Sequence, residues 1–300
     1  MRSALGREGM LKEIPNFAVG LKCPKCNCPV GGLHKEQFLQ YLNNKRLGCI
    51  QCGNRFDLFQ AIVDCIYENF FFNDAFAFVG AKKTVFNINL SSTPSTTLKF
   101  EDHGIPKGSR ILHINYTPQG QGAFPLEFHG NSPYRGAPRD SVVLYPAKFG
   151  DESGAPTEIC VMITWIDGGS LEDVSIKSLV DSIEEYSRDE LVTSIVPANT
   201  SIEFDVMRYA EEALISVSSK TSTAEFFNSG VSYVPTLKVL LPLIARIKNF
   251  PSIPEDVFRA LVQLATFRNQ IAHTGKTKAP ITKKQVATSL AKVDPFVWTT

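Results

Sequence analysis

Near the C-terminal end of the chain, Phe267-Arg268-Asn269-Gln270-Ile271-Ala272-His273 puts a guanidinium, an amide and an imidazole within about one and a half helical turns. His273 is the only histidine in the last third of the sequence. An imidazole exchanges its proton near neutral pH, so His273 can take one from a ribose 2′-hydroxyl or give one to a leaving oxygen. A planar guanidinium binds phosphate through two nitrogens, which is the task open to Arg268. Asn269 can orient the imidazole or stabilise charge developing on phosphorus. None of these steps needs a metal. On spacing alone a plainer reading stands beside this one. Cations and histidines are favoured at helix C-termini, so Arg268 can cap carbonyls while His273 ends the helix before Thr274-Gly275.

The second group is Cys23-Pro-Lys-Cys26 and Cys49-Ile-Gln-Cys52, with 22 residues between the pairs. Zinc takes four ligands in a tetrahedron, and each CxxC turn presents two thiolates from one tight knuckle. Gly53 directly after the second pair permits the left-handed turn such knuckles use. Cys23, Cys26, Cys49 and Cys52 are therefore the expected ligands of a structural Zn2+. Cys28 and His34 remain as substitutes, Cys28 more as a bystander. Four protein ligands close the site, which argues against a catalytic zinc. The motif resembles a zinc ribbon, whose members often touch nucleic acid or protein; Lys22, Lys25, Lys35, Lys45 and Arg46 add local positive charge. A metal stapling a module too small for its own core would have the same signature.

These groups must be positioned by the rest of the 300 residues, which suggest two or three domains. A hydrophobic fraction of 43% and a charged fraction of 20% are those of a soluble globular chain. A net charge of +1 gives no global attraction to nucleic acid or membrane, so such binding must come from local patches. Met1 to Phe17 lacks the apolar core of a signal peptide, and the longest apolar run, Val239 to Ile247, contains Pro242 and Arg246. A cytoplasmic location follows as the expectation. Seven cysteines, four of them in the two pairs, favour metal over a disulfide framework. Cys65 and Cys160 read as buried small hydrophobes.

Leu58, Ile62, Cys65 and Ile66 predict a helix over 57–69. From 76 to 167 the pattern changes to short strands: Thr84 to Leu90, Ile111 to Tyr116, Leu126 to Phe128, Val142 to Tyr145 and Ile159 to Ile166. Their turn-rich spacing predicts an antiparallel sandwich or barrel. His103, His113 and His129 form no ligand spacing, and Phe86, Tyr116, Phe128, Tyr145 and Trp165 fit strand cores. No glycine-rich phosphate loop, nucleophile elbow or metalloprotease helix is present in the sequence. Beyond Asp167-Gly-Gly-Ser170 five helices are expected. They are Ser175 to Tyr186, Ser201 to Val217, Thr236 to Ile247, a fourth opened by a Ser252-Ile-Pro-Glu255 capping box and running to Ala272, and Thr282 to Val293. An antiparallel bundle is the natural arrangement.

The helical part resembles a HEPN domain. That family of helical bundles carries an Arg followed by a polar residue, often Asn, and then a His after four to six intervening positions. Here Arg268, Asn269 and His273 match it, late in the penultimate helix, and Ile195 to Glu203 looks like the family's early helix with its terminal Glu. The resemblance covers about residues 175–300. It implies a metal-independent RNA endonuclease, with Arg268 on the scissile phosphate, His273 transferring protons and Asn269 positioning them. It also implies a homodimer in which two motifs face one cleft, and a role in phage defence or a toxin-like system. Lys276, Lys278, Lys283 and Lys284 would hold flanking RNA phosphates, or else form an ordinary solvated cluster. Members of the family also serve as non-catalytic scaffolds, so a dimerising adaptor is the second implied function.

The expectation is a multidomain α+β chain. A tail (1–20) leads to a zinc ribbon plus helix (21–75), a β-rich sandwich or barrel-like domain (76–170) and an all-α HEPN-like bundle (171–300). A regulatory protein or nucleic acid is the expected partner of the ribbon or β domain.

Overall fold

Alternating apolar residues build strands between 82 and 166, and apolar steps of three and four build helices from 174 onward. The computed structural model describes residues 22–28, 46–57, 60, 61, 63, 64, 79–90, 95–118, 124–128, 140–147, 157–249 and 253–297. The chain divides into two compact units: Gly80–Asp173, and a second that joins the cysteine segment to the helices from Val174 on. The architecture is mixed α+β, with small antiparallel sheets and a helical C-terminal half.

In the cysteine segment β1 (Leu47–Gly48) pairs antiparallel with β2 (Arg55–Phe56). Of the helix expected over 57–69, Gln60, Ala61, Val63 and Asp64 are helical, and Asp57 caps it by accepting from the Gln60 N–H at 3.0 Å. Leu58, Ile62, Cys65 and Ile66 lie outside the described residues.

The Gly80–Asp173 unit holds two three-stranded sheets. In one, β3 (Lys82–Leu90) and β5 (Arg110–Pro118) flank β8 (Thr157–Ile166); in the other, β4 (Thr96–Lys99) and β6 (Phe124–Phe128) flank β7 (Ser141–Ala147). All pairings are antiparallel. Ile159, Val161, Ile163 and Trp165 of β8 alternate inward, opposite Ile88 and Phe86 of β3. On β5, Ile111, Ile114 and Tyr116 meet Trp165, Ile163 and Val161. Ile111 and Ile114 are three apart, so simple alternation would put them on opposite faces. A register shift between Ile111 and His113 supplies the extra residue that brings both inward. One hydrophobic cluster draws on both sheets, joining these residues to Leu98, Val142 and Leu144. Trp165 is a core residue whose indole N–H donates to the Thr84 hydroxyl at 2.9 Å, and His103 stacks flat on Phe86 at 3.6 Å. Cys160 is half-buried on the opposite face of β8 rather than in the core, because its neighbours Ile159 and Val161 take the inward positions.

A Cβ at Gly168 would lie 2.7 Å from the Gly108 carbonyl oxygen. Gly168 has an ordinary helical φ of −58°, so space alone requires glycine here. Gly168→Ala is expected to cost about 1–3 kcal/mol, read as a lower urea midpoint at unchanged slope. An unchanged midpoint would show that the two backbones separate freely.

The helical half contains α1 (Val174–Ser187), α2 (Leu191–Ile215), α3 (Lys220–Asn228), α4 (Leu241–Lys248), α5 (Glu255–Thr274) and α6 (Lys283–Val297). A single turn (Tyr233–Pro235) and a π-turn (Thr236–Leu240) lead into α4, whose first turn holds Pro242. The 25-residue α2 is the hub, packing on α1, α5 and α6. Leu179, Ile183 and Tyr186 of α1, Ile195, Ile202 and Val206 of α2, Leu261 and Leu264 of α5, and Val286 and Leu290 of α6 are buried.

Three sequence expectations are corrected. First, α2 begins at Leu191, ten residues before Ser201, with Pro197 inside it. An interior proline costs about 3 kcal/mol in isolation, but buried Ile195, Ala198 and Ile202 hold the helix through it. Second, the N-cap of the fourth expected helix is Pro254, with no side-chain cap, and Ser252 of the expected capping box lies outside the described residues; a capping box forms at α6. There Thr282 Oγ1 accepts from the Gln285 N–H at 3.3 Å while Gln285 Oε1 accepts from the Thr282 N–H at 2.8 Å. Third, α3 is an additional helix, capped by Ser219, whose hydroxyl accepts from the Ser222 N–H.

Inside α2, Asp205 is fully buried and accepts from Arg208 Nη2 at 2.6 Å. Removing a buried charge's partner is costly, so Arg208→Ala, which takes the guanidinium from the buried Asp205 carboxylate, is expected to lose roughly 3 kcal/mol of stability in urea unfolding followed by far-UV circular dichroism. A loss below about 1 kcal/mol would make the pair a surface-like contact.

Candidate metal centre and candidate active site

The two cysteine knuckles share one backbone design. In the first, the Cys23 N–H donates to the Cys28 carbonyl and the Asn27 N–H to the Cys23 carbonyl, both at 2.9 Å. In the second, the Cys49 N–H donates to the Asn54 carbonyl at 2.8 Å and the Gly53 N–H to the Cys49 carbonyl at 2.9 Å. Each loop turns through a left-handed residue four positions after its first cysteine: Asn27 at φ 58° and Gly53 at φ 68°. Glycine signalled the second turn in the sequence; Asn27 performs the same task without that signal.

This fold brings the Sγ atoms of Cys23, Cys26, Cys49 and Cys52 within 4.8 Å of one another. Cys23 lies 3.7 Å from Cys52 and Cys26 lies 3.6 Å from Cys49, sulfur to sulfur. Sulfurs bound at ~2.3 Å to one tetrahedral ion lie about 3.8 Å apart, so the four could hold a metal ion. Cys23 and Cys49 are buried, and the Asn54 side-chain amide faces Cys23 Sγ at 3.9 Å. At Cys23 burial raises the thiol's pKa, but hydrogen bonds from the backbone at Cys26 and Lys25 and the Cys52 and Cys26 thiols outweigh it, bringing it down to about 6. At Cys26 the backbone at Cys28 lowers the pKa, while burial and the Cys52, Cys49 and Cys28 thiols push it well up. The opposite directions have one cause: four sulfurs this close cannot all ionise unless a cation sits among them. Cys28 serves the site through its carbonyl and lies outside the four-sulfur group; His34, Lys35 and Lys45 lie outside the described residues.

The second candidate site lies at the end of α5. Val257, Ala260, Leu261, Leu264 and Ala265 bury one face, while Arg268 and Ile271 are half-buried at its far end. Asn269 and His273, four apart, are both exposed. Arg268 Nη1 donates to Asn269 Oδ1 at 3.1 Å, drawing the guanidinium round toward the face that carries Asn269 and His273. The helix stops at Gly275, which has φ 70° and donates to the Ile271 carbonyl at 2.8 Å. Among the described residues no side chain hydrogen-bonds the His273 imidazole.

Lys276, Lys278 and Lys284 are exposed; Lys283 is half-buried, paired with Asp189 and lying over the Tyr186 ring at 5.5 Å. Glu203 lies on α2, where it accepts from the Asn199 side-chain amide at 3.0 Å. It also helps burial to raise the pKa of Tyr233. His113 lies on β5 beside the register shift, and His129 is outside the described residues. Asn27, the Asn54 amide and the Asp205–Arg208 pair were not singled out by sequence reasoning. Among the described residues no helix is long and apolar enough to cross a membrane. Compared with known proteins, the chain matches no family model, no curated protein and no solved structure.

Proposed function

We propose that this chain is a metal-independent endoribonuclease of the HEPN type, with its reacting groups at the end of α5. The observation that carries the reading is the Arg268–Asn269 hydrogen bond, which aims the guanidinium toward the exposed face bearing His273. Arg268 binds the scissile phosphate and Asn269 positions the imidazole. His273 accepts the proton of the ribose 2′-hydroxyl as that oxygen attacks phosphorus, and the P–O5′ bond breaks with the leaving 5′-oxygen taking a proton from water. The products are a 2′,3′-cyclic phosphate and a 5′-hydroxyl. Lys276, Lys278 and Lys284 attract the flanking RNA backbone, with Lys283 nearest the bundle.

In the same proposal, Cys23, Cys26, Cys49 and Cys52 hold a structural zinc in a ribbon. The two sheets close over their shared cluster as a sandwich, and these modules target or restrain a cytoplasmic nuclease in phage defence or a toxin-like system. Two copies face their motifs across one cleft. A non-catalytic dimerising adaptor is the second reading. It is favoured by the absence, among the described residues, of a side chain that orients His273.

Incubation of the full chain with mixed end-labelled RNAs in EDTA tests the choice. Cleavage that leaves cyclic phosphate ends supports the nuclease, as does growth arrest on expression that is relieved by His273→Ala. Intact RNA with a folded wild-type protein supports the adaptor.

A further inference from the structure

Beside the four sulfurs of the metal centre stands a further thiol. The Cys28 side chain hydrogen-bonds that of Cys26, yet its sulfur lies outside the group formed by Cys23, Cys26, Cys49 and Cys52. An ion held by the four therefore leaves Cys28 uncoordinated. Cys23 and Cys49 are buried, whereas Cys26 and Cys28 are half-buried, so solvent reaches the uncoordinated thiol and the ligand beside it.

The knuckle itself does not require a cysteine at this position. The Cys23 N–H donates to the Cys28 carbonyl, and in the second knuckle the Cys49 N–H donates to the Asn54 carbonyl in the same way. Asn54 thus does the backbone work of Cys28 without a thiol. The chain between Cys26 and Cys28 also suits a bond between their sulfurs. An extended two-residue step spans about 7 Å, and a bent one falls in the ~4.4–6.8 Å range of Cα atoms in bridged cysteines. Asn27, left-handed at φ 58°, supplies that bend.

We propose that Cys28 is a redox trigger for the metal centre: hydrogen peroxide joins it to Cys26 in a disulfide, taking one ligand from the ion and releasing the metal. The Cys28 sulfur attacks one peroxide oxygen and the O–O bond breaks, giving a sulfenic acid and water. The Cys26 sulfur leaves the ion and attacks the Cys28 sulfur. The S–O bond breaks as the S–S bond forms, and the departing hydroxide takes a proton from solvent. Two sulfurs are oxidised and one peroxide is reduced to two waters. The three sulfurs left hold the ion more weakly. This inference rests on the metal centre of the proposed function and is independent of the nuclease reading.

The test treats the full zinc-loaded chain, its metal content first measured, with hydrogen peroxide beside a chromogenic zinc indicator. The wild type is expected to release its metal, and dithiothreitol with added zinc to reload it. Cys28→Ser is expected to release metal at least about tenfold more slowly, because the uncoordinated sulfur that starts the exchange is gone. Trypsin cuts after Lys25 and Lys35, so Cys26 and Cys28 fall in one peptide. From treated wild type that peptide is expected lighter by two hydrogens, a reading that decides alone if Cys28→Ser fails to load metal. Release at the wild-type rate from Cys28→Ser overturns the proposal, as do disulfides that leave Cys28 reduced. Metal bound but retained under peroxide overturns this inference alone; an untreated wild type without metal overturns the centre and the inference together.

Discussion

Cys49→Ser is expected to empty the metal centre, lowering bound metal from about one equivalent to a small fraction of one after dialysis against a mild chelator. Cys49 is buried, its sulfur is 3.6 Å from that of Cys26, and its N–H and carbonyl both close the second knuckle. Serine keeps those backbone bonds but replaces a soft thiolate with a neutral hydroxyl that zinc binds poorly. Among the described residues the two strands beside the site have two residues each, and Phe56 of the second is buried. Structural zinc supplies about 10–16 kcal/mol of apparent binding energy in small domains, and here that energy would be mainly folding energy. Loss of metal should therefore expose the segment around Cys23 and Cys49 to protease at concentrations that leave the wild type intact. Cys28→Ser is the matched control: Cys28 serves through its carbonyl, so full metal content and protection are expected. Full metal in Cys49→Ser, or none in wild type purified with zinc present, would remove the four-cysteine assignment.

That site was legible because its determinants are local: two short spacings fix four sulfurs, and Gly53 announces one of the two left-handed turns. Asn27 was hidden because asparagine reaches the left-handed region less often than glycine and is seldom read as a turn signal. Strands β3 and β8 were legible from their alternation. β4 is Thr-Thr-Leu-Lys, with a single apolar residue, and becomes a strand only by pairing with β7. Helix α3, with the sequence Lys-Thr-Ser-Thr-Ala-Glu-Phe-Phe-Asn, likewise has too few apolar steps to signal itself. The start of α2 was obscured by Pro197, whose local penalty is overridden by packing against α1. Both Ser252-x-x-Glu255 and Thr282-x-x-Gln285 fit a capping box in sequence; the second forms one, and Ser252 lies outside the described residues. The chain enters α5 through extended Pro254, at ψ 137°, whereas Thr282 sits at the start of α6. The Arg268–Asn269–His273 spacing was likewise visible, but its hydrogen bond and the exposure of His273 required coordinates.

His273→Ala is expected to lower RNA cleavage by about 10²- to 10⁴-fold in single-turnover assays, the usual contribution of a positioned general acid–base. The loss should fall on the rate of the chemical step and leave RNA affinity close to wild type, because His273 acts on protons while Arg268 and the lysines hold phosphate. The variant should fold normally: His273 is exposed in the last turn of α5, where the Gly275 cap is made by backbone atoms. Arg268 should behave differently. Its guanidinium is half-buried and bonded to Asn269, so Arg268→Lys keeps the charge but removes the planar fork that spans two phosphate oxygens. It should weaken RNA binding and slow cleavage together. Asn269→Ala should fall between them, freeing the guanidinium without removing it. Activity should survive EDTA under conditions that leave the cysteine site loaded. If a folded wild type, zinc-loaded and dimeric, leaves every RNA intact, then exposure of His273 without a partner has the simpler meaning. The imidazole then ends a helix whose terminal carbonyls favour a cation, and the protein works by binding.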